Sequence, residues 1–283
     1  MWKDSYLVGV ELIDNQHKHL FKAIESLINS LKFLKKTNYK KQLYETTAFM
    51  KEYCLTHFND EQEYMKSIGF EGYEVHKQKH DKLLDDAMEY RNKLLKTNFD
   101  RHIVEGFLGF LTTWIIYHIG VEDQQIPKTE QISPSKPKYE GIYHEYVDDI
   151  KAVLNILAGL SEQSISYAIN NDNFMDSGVC YQVRLINASN NSAIGFVFSD
   201  SLAYGLVKEM TDMDAAEFND VMYSALQEIS AIIGAKIAGS LSRETGSTIS
   251  IEPPIHVQIG DIKKTASGLA VYTQLGAMEV FFY

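Results

Sequence analysis

Cysteine is rare in this 283-residue sequence, which contains only Cys54 and Cys180, far apart along the chain. Two distant cysteines offer no disulfide framework, so the composition favours a reducing cytosol, a cytoplasmic protein and two free thiols. Cys54 lies one helical turn before His57 and could be taken for a metal ligand. We interpret it instead as a small buried apolar residue.

Basic residues are also scarce: 27 Lys and Arg stand against 38 Asp and Glu, for a net charge of −11. An acidic surface attracts neither nucleic acid nor an anionic membrane, so both are excluded as partners. No apolar run is long enough to cross a bilayer, and the first residues lack the basic region and apolar core of a signal peptide. What is present is 45% apolar residues, enough for two globular domains at this length.

The first part of the chain is predicted to be helical, because its apolar residues recur at helical spacing. Residues 1 to about 12 look extended, and Asp14 is a plausible N-cap for the first helix. The predicted helices run from Asp14 to about Lys35, Tyr39 to Ile68, Tyr73 to Leu95, and Asp100 to about Gln124. Their short connections predict an all-α, up-and-down four-helix bundle over residues 1–127.

The second part of the chain has a different sequence pattern, in which predicted strands alternate with helices. Pro127 stops the fourth helix, and the proline-rich residues 128–141 are interpreted as a linker. A helix from about Tyr143 to Tyr167 is followed by two paired strands, GVCYQVRLIN and SAIGFVFS, with NASNNS as their turn. Two helices, near 200–210 and 215–241, precede strand candidates in TISIEPPIHVQI, ASGLAVYTQL and AMEVFFY. Residues 142–283 therefore predict an α/β or α+β domain.

Metal-ligating residue types occur once or twice on each predicted helix of the bundle. Residues four apart share a helix face, so His57 and Glu61 can approach one metal. The full set is His17, His57, Glu61, His76, His80, His118 and Asp123. Seven ligands are too many for one tetrahedral zinc, but they suit two ions bridged by the two carboxylates. The mixture of imidazole and carboxylate suits iron, with zinc or manganese as competitors.

His118 and Asp123 are five residues apart, a spacing that a regular α-helix does not place on one face. It predicts a π-type turn, or a helix end, between them. A single His pair arises by chance on many surface helices, so only the combination of these residues over four helices indicates a metal site. The remaining histidines are interpreted as solvated or packing residues: His19, His102, His144 and His256.

Residues 1 to about 126 resemble the bacterial hemerythrins, whose N-terminal signature is matched by WKDSYLVGVELIDNQHKHLF, with Trp2 and Asp14-x-Gln16-His17 in place. The resemblance implies a non-haem di-iron centre. One iron would be held by His76, His80 and His118, the other by His17 and His57, with Glu61 and Asp123 as bridges. It also implies reversible O2 binding at the iron that His17 and His57 hold. Phe58, Trp114 and Ile119, which are near the ligands, either line a dry pocket or are plain core residues.

The stretch MYSALQEISAIIGAKIAGSLSRETGSTISIEPP resembles the CheX and CheC family of chemotaxis phosphatases. That family's motif is Asp or Ser, three residues, Glu, two residues, Asn, twenty-two residues, Pro. Ser224, Glu228 and Pro254 fit this spacing, but Ala231 stands at the Asn position. The resemblance implies that Glu228 engages a phosphorylated response regulator, whereas Ala231 cannot orient the attacking water. Loss of such a group costs about 100-fold or more in rate.

Three functions are compatible with this combination. The first is an oxygen- or redox-sensing signalling protein, whose CheX-like domain binds a chemotaxis partner or forms a homodimer without catalysis. The second is an O2-regulated phosphatase of a phosphorylated CheY-like regulator. The third is O2 storage or peroxide handling, with the second domain only an oligomerisation or targeting module. Fusion of a complete metal site to a degenerate phosphatase motif favours the first.

Overall fold

The structure is a computed structural model that describes residues 1–32, 39–126, 142–170, 175–186, 192–214, 219–262 and 268–283. The chain divides into two compact units, Met1–Ser135 and Lys136–Tyr283. The proposed linker, residues 128–141, and the helix-stopping Pro127 lie outside the described residues.

The described part of the first unit is a helical bundle, as predicted. A short 3-10 turn at Asp4–Tyr6 precedes four long helices. Their bounds are Glu11–Lys32 (α1), Tyr39–Ser67 (α2), Tyr73–Lys96 (α3) and Arg101–Tyr117 (α4). Helix α1 contacts α2 and α4, and α3 contacts the same two helices. This arrangement encloses a core of aliphatic and aromatic side chains, among them Leu20, Ile24 and Leu108.

Asp14 does not cap the first helix, contrary to the prediction. The helix already begins at Glu11, and the Asp14 N–H donates to the Val10 carbonyl at 2.8 Å. The Asp14 carboxylate instead accepts hydrogen bonds from the backbone N–H groups of Val8, at 2.7 Å, and Gly9, at 3.1 Å. It therefore ties the preceding loop to the helix. Asp100 does act as an N-cap, because its carboxylate accepts from the His102 N–H at 3.0 Å.

The end of α4 widens where the sequence predicted that it would. A π-helical segment, His118–Glu122, follows α4 directly and leads into a 3-10 turn at Asp123–Gln125. The side chain of Gln124 donates to the carbonyls of Ile119 and Tyr6, both at 3.2 Å. These bonds fasten the widened segment to the N-terminal turn.

One helix among the described residues, Arg101–Gln125, is long and apolar enough to cross a membrane by composition alone, contrary to the sequence expectation. About 83% of its most apolar stretch is buried inside the protein. Its apolar residues therefore face the other three helices, as in the core helix of a bundle.

The second unit has an antiparallel sheet and three helices in its described part, so it belongs to the α+β class. The helices are Ile142–Ala158 (α5), Asp200–Thr211 (α6) and Asn219–Thr245 (α7). The strands are Ser166–Asn170 (β1), Val179–Ile186 (β2), Ala193–Phe198 (β3), Ser250–Ile251 (β4), Ile255–Val257 (β5), Gly268–Thr273 (β6) and Gly276–Phe282 (β7). The strand order is β1-β6-β7-β3-β2-β4, with β5 also paired to β2.

The predicted pairing of the second and third strands is confirmed, with Tyr181 opposite Phe196. Most of the predicted turn, residues 187–191, lies outside the described residues, as do residues 215–218 at the predicted start of the long helix. Helix α7 packs on β2 and helix α6 on β7, which places the helices against the sheet.

The helix predicted to run to Tyr167 ends earlier, at Ala158. Gly159 takes a left-handed φ of 67° and ends the helix, while the Asn155 amide donates to the Leu160 carbonyl at 2.7 Å. The residues that follow form β1, an edge strand paired antiparallel to β6 with Ser166 opposite Tyr272. The alternating sequence SYAIN suits a strand better than a helix, because a strand turns successive side chains to opposite faces.

Candidate metal centre

Seven metal-ligating side chains converge in the core of the bundle. None is more than 4% exposed: His17, His57, Glu61, His76, His80, His118 and Asp123. Each of the four helical regions contributes at least one of them. Buried imidazoles and carboxylates are costly unless they are paired or bind a metal, so this cluster requires an explanation.

The two carboxylates lie among the histidine rings. Oε2 of Glu61 is 3.2 Å from Nε2 of His76 and 3.2 Å from Nε2 of His80. Oδ2 of Asp123 is 3.2 Å from Nε2 of His17, and its Oδ1 is 2.9 Å from Nε2 of His118. Asp123 therefore lies between a histidine of α1 and a histidine of the π segment.

Two groups of ligand atoms are each compact enough to surround an ion. Glu61 shares one group with His76, His80 and His118, and a second with His17 and His57; within each group the ligand atoms lie within 4.8 Å of one another. Because Glu61 belongs to both, it is placed to bridge two ions. Cys54 is buried but belongs to neither group.

The polar atoms of the cluster fit metal ions better than they fit one another. Nε2 of His80 and Nε2 of His118 are 2.8 Å apart. Among the described residues, Nε2 of His17, Oε1 of Glu61 and both carboxylate oxygens of Asp123 are buried and make no hydrogen bond of regular geometry. An unsatisfied buried polar atom costs about 1–3 kcal/mol, and a cation at the centre would satisfy these atoms together.

The metal-free site has a mixed protonation pattern. Burial and the neighbouring His17 lower the pKa of His57 to about 3, and burial likewise lowers that of His80 to about 4. Burial opposes the charged form of His76, but the carboxylates of Asp123 and Glu61 beside its ring outweigh burial and raise the pKa of His76 to about 9. His57 and His80 are therefore neutral metal donors at pH 7, whereas His76 must release a proton first.

The carboxylates are held ionised. Burial and the charge of Asp123 would raise the pKa of Glu61, but hydrogen bonds from His76 and His80 lower it to about 2. The nearby His118, together with the rings of His17 and His76, likewise holds the pKa of Asp123 well below its usual range, despite burial. Both side chains are thus anionic acceptors at neutral pH.

The π segment explains how Asp123 joins the cluster. In a regular α-helix a residue five positions after His118 would point away from it. The additional residue per turn of a π-helix brings Asp123 back to the same face, 2.9 Å from the His118 ring.

Aromatic rings cover the histidines on one side of the site. Phe58 is 4% exposed and stacks on His80, with ring centroids 3.8 Å apart. Trp114 stacks on His118 at 4.2 Å, and Ile119 is 1% exposed. These side chains shield the rings of His80 and His118 from solvent.

Two residues that support the site were not assigned a role from the sequence. The side-chain oxygen of Gln16 lies 3.1 Å from Nδ1 of His57, and its amide donates to Asp60 at 2.6 Å. The signature Asp14-x-Gln16-His17 contains Gln16, but its partners are 41 and 44 residues away. Only a structure brings such residues together.

The other histidines stay outside the cluster. His19 contacts the Tyr53 hydroxyl at 3.2 Å, and His256 lies against the rings of Tyr181 and Tyr223 in the second unit. His102 contributes its backbone N–H to the Asp100 cap, and the side chain of His144 lies outside the described part.

In the second unit the residues of the phosphatase-like motif lie on α7 and beside it. Ser224 is buried, Glu228 and Ala231 are half-buried, and Pro254 is buried between β4 and β5. The amide of Gln227 donates to the Pro254 carbonyl at 3.0 Å, and the Ser230 hydroxyl donates to the Leu226 carbonyl at 2.8 Å. Both polar groups next to Ala231 are therefore engaged in structural bonds.

Comparison with known protein families matches residues 8–127 to the Hemerythrin HHE cation binding domain. A bacteriohemerythrin of Clostridium acetobutylicum is 30% identical over 125 residues, which are 44% of this chain and 96% of that protein. A bacteriohemerythrin of Pseudomonas aeruginosa is 27% identical over 123 residues, 44% of this chain and 76% of that protein. The matched region carries all seven residues of the cluster.

Solved structures similar to this chain include chemotaxis proteins. CheX from Vibrio vulnificus is 17% identical, with a TM-score of 0.41 over 50% of this chain and 99% of its own. A CheX-CheY-BeF3-Mg complex from Borrelia burgdorferi gives 18% identity and a TM-score of 0.41 over 51% of this chain and 97% of that chain.

Proposed function

The chain belongs to the hemerythrin family through its first domain, and we propose that it is an oxygen- or redox-sensing signalling protein with two iron ions in that domain. The observation that carries the proposal is the cluster of seven buried ligand side chains with unsatisfied polar atoms. The family implies iron, and the imidazole and carboxylate donors suit it.

Each residue of the cluster has a proposed role toward the metal. His76, His80 and His118 would hold one ion, and His17 and His57 the other. Glu61 and Asp123 would bridge them. The shared position of Glu61 in both ligand groups supports its bridging role. The contacts of Asp123 with both His17 and His118 support the same role for the second carboxylate.

The protein's own residues would keep this site dry and asymmetric. Iron, when bound, would supply affinity for O2 and a change of oxidation state. His17 and His57 leave more of their ion's coordination open than three histidines do, so a small ligand would enter on their side. Phe58 and Trp114 would exclude water from the ligand rings on the opposite side.

The second domain would act by binding rather than by catalysis. Its motif keeps Glu228, which suits a lysine of a CheY-like response regulator, but it lacks the amide that would position water. The alternative donors are engaged, because Gln227 bonds to Pro254 and Ser230 to Leu226. A chemotaxis partner, or a second copy of this chain, would therefore be bound differently in the two states of the iron site.

The proposal is tested first with the iron-loaded, fully reduced protein under anaerobic conditions. Its optical spectrum is recorded before and after O2, and binding to a labelled CheY-like regulator and the molar mass are measured in each state. We expect charge-transfer bands that appear with O2 and vanish on its removal, together with a change in partner affinity or molar mass. A His80→Gln variant serves as the control, since it removes one ligand and leaves the second domain unaltered.

Two results would contradict this function. Absence of iron uptake would show that the first domain is not an iron-based sensor. Reversible O2 binding without any change in partner affinity or oligomeric state would instead support O2 storage.

An O2-regulated phosphatase is the second candidate, because the Gln227 bond to Pro254 keeps the helix and the strand region of the motif together. Measurement of phosphate release from an acyl-phosphorylated regulator distinguishes this phosphatase function from non-catalytic signalling. We expect no acceleration by the native protein and measurable activity from Ala231→Asn. Native activity that exceeds that of Ala231→Asn would establish catalysis by another route.

A further inference from the structure

A large apolar cavity lies between α2, α3 and α4, outside the metal cluster. Its volume is about 270 Å³, whereas two other cavities in the first unit measure about 10 Å³ each. Bundle interiors are normally close-packed, with few voids larger than a water molecule. A cavity of this size is therefore space that a ligand could fill.

The walls of the cavity are apolar and its mouth is open. Met50, Cys54 and Leu111 form buried wall, while Leu55 and Met88 beside them are 41% and 40% exposed. Large apolar side chains at the surface of a monomer commonly mark a binding site when they cluster around a concave feature. The exposed pair thus marks an entrance between α2 and α3.

Two cations also line this cavity. Lys51 on α2 and Arg91 on α3 are both exposed, and neither is held in an ion pair within the described residues. Elsewhere on the same helices lysines pair with carboxylates, as Lys77 does with Asp81 and Lys82 with Asp86. Uncompensated positive charge beside an apolar cavity is notable in a chain whose net charge is −11.

We propose that this cavity binds an amphiphilic anion: an aliphatic chain with a carboxylate head. The chain would lie against Met50, Cys54 and Leu111, and the head would lie at the mouth between Lys51 and Arg91. Water occupies about 30 Å³ per molecule in the liquid, and a methylene group is of similar size. The cavity therefore has room for a chain of about eight to ten carbons.

Chain length provides the first test. Hexanoate, octanoate, decanoate and dodecanoate are titrated into the purified full-length protein by calorimetry. Each added methylene should tighten binding about fourfold until the cavity is full, with a plateau near decanoate. Non-saturable uptake, or an affinity that keeps rising through dodecanoate, would overturn a bounded cavity site.

Charge and volume are tested separately by substitution. The double variant Lys51→Met/Arg91→Met should weaken decanoate about fivefold, since exposed ion pairs are modest, and leave decanol unchanged. Lys22→Met/Lys82→Met removes two exposed cations away from the mouth and should alter neither. Ala87→Phe fills the cavity and should weaken both ligands at least tenfold; Ala87→Leu is the milder variant if the first does not fold. Circular dichroism and metal uptake verify that each variant is folded.

Three outcomes would overturn the proposal. Decyltrimethylammonium could bind as tightly as decanoate, which would remove the role of the cations. Ala87→Phe and Ala87→Leu could bind decanoate normally while folded, which would place the ligand elsewhere. The protein could also form a dimer that Leu55→Lys disrupts, without binding any of the acids, which would assign the mouth to a second copy of this chain.

Discussion

At the scale of single residues, Gln16 connects the metal cluster to the surface of the bundle. Its amide oxygen can accept the Nδ1 proton of His57, at 3.1 Å, while its amide nitrogen donates to the half-buried Asp60 at 2.6 Å. This arrangement fixes the tautomer of His57, so that Nε2 carries the lone pair and can ligate a metal. Asp60 in turn fixes the orientation of the Gln16 amide.

Replacement of Gln16 by Leu should therefore weaken metal binding at the His17 and His57 side. Loss of such a supporting hydrogen bond typically costs about 10- to 100-fold in metal affinity. Cobalt titration, followed by its visible absorption, measures the two sites in turn, and we expect only one of them to weaken. Asn59→Ala is the control, because Asn59 is a neighbour whose side chain bonds to the exposed Glu63 at 3.4 Å. Equal loss at both sites would indicate general damage to the bundle.

Proton release on metal loading tests the raised pKa of His76. Since that pKa is about 9, His76 is protonated at pH 7.5 in the metal-free site, whereas His57 and His80 are neutral. A metal displaces the proton of His76, so metal affinity rises with pH until His76 has titrated. We expect about one proton per protein at pH 7.5, measured with a pH indicator during cobalt loading, and a decline toward zero above pH 9. A release that is independent of pH would show that His76 is neutral in the folded protein.

At the scale of secondary-structure elements, the π segment His118–Glu122 serves as a register device: it sets the spacing that places His118 and Asp123 on the same face. The sequence predicted it because His118 and Asp123 are five residues apart and both are needed at one site. Removal of Val121 would shorten this spacing to four, which a regular α-helix places on one face, as it does for His57 and Glu61. Insertion of one Ala after Val121 would instead lengthen it to six, which no regular helix accommodates on that face.

We therefore expect the Val121 deletion to retain two metal ions and the Ala insertion to retain at most one. Elemental analysis after loading gives the metal-to-protein ratio, and circular dichroism checks the helix content. Val121→Ala, which keeps the length, is the control and should bind two ions. The view of the π segment as a register device would be wrong if deletion and insertion had the same effect.

The helices of the first unit could be predicted closely because apolar periodicity persists over their whole length. The second unit was harder, since the end of its first helix depends on Gly159, one residue in a left-handed conformation. Strand β1 was missed because its structure depends on pairing with β6, about 100 residues later in the chain. The Gln16 contacts were missed because they join different helices. The seven clustered side chains could be selected from the sequence because each is itself a metal-ligating residue type at helical spacing.

At the scale of the whole molecule, each of the two cysteines lies in a different unit, so its alkylation rate measures the opening of that unit alone. Cys54 is 6% exposed on α2, and burial raises the pKa of its thiol to about 12. Cys180 is 1% exposed on β2, between Val197 of β3 and Val257 of β5. Only the thiolate reacts with an alkylating reagent. Cys54 lines an apolar cavity whose walls disfavour its thiolate, and Cys180 is buried in the sheet, so alkylation of either thiol depends on local opening of the unit that contains it.

Metal should then protect one thiol and not the other. At a free metal concentration of about 100 times its dissociation constant, binding stabilises the first unit by about 2.7 kcal/mol. The population of its opened state therefore falls about 100-fold. We expect cobalt to slow alkylation of Cys54 by iodoacetamide by this factor and to leave Cys180 unchanged, with mass spectrometry of peptides distinguishing the two. Equal protection of both thiols would mean that the units open together, and the boundary between residues 127 and 142 would not separate independent folding domains. Protection of Cys54 alone would mean that any signal passed to the second domain changes its contacts rather than its stability.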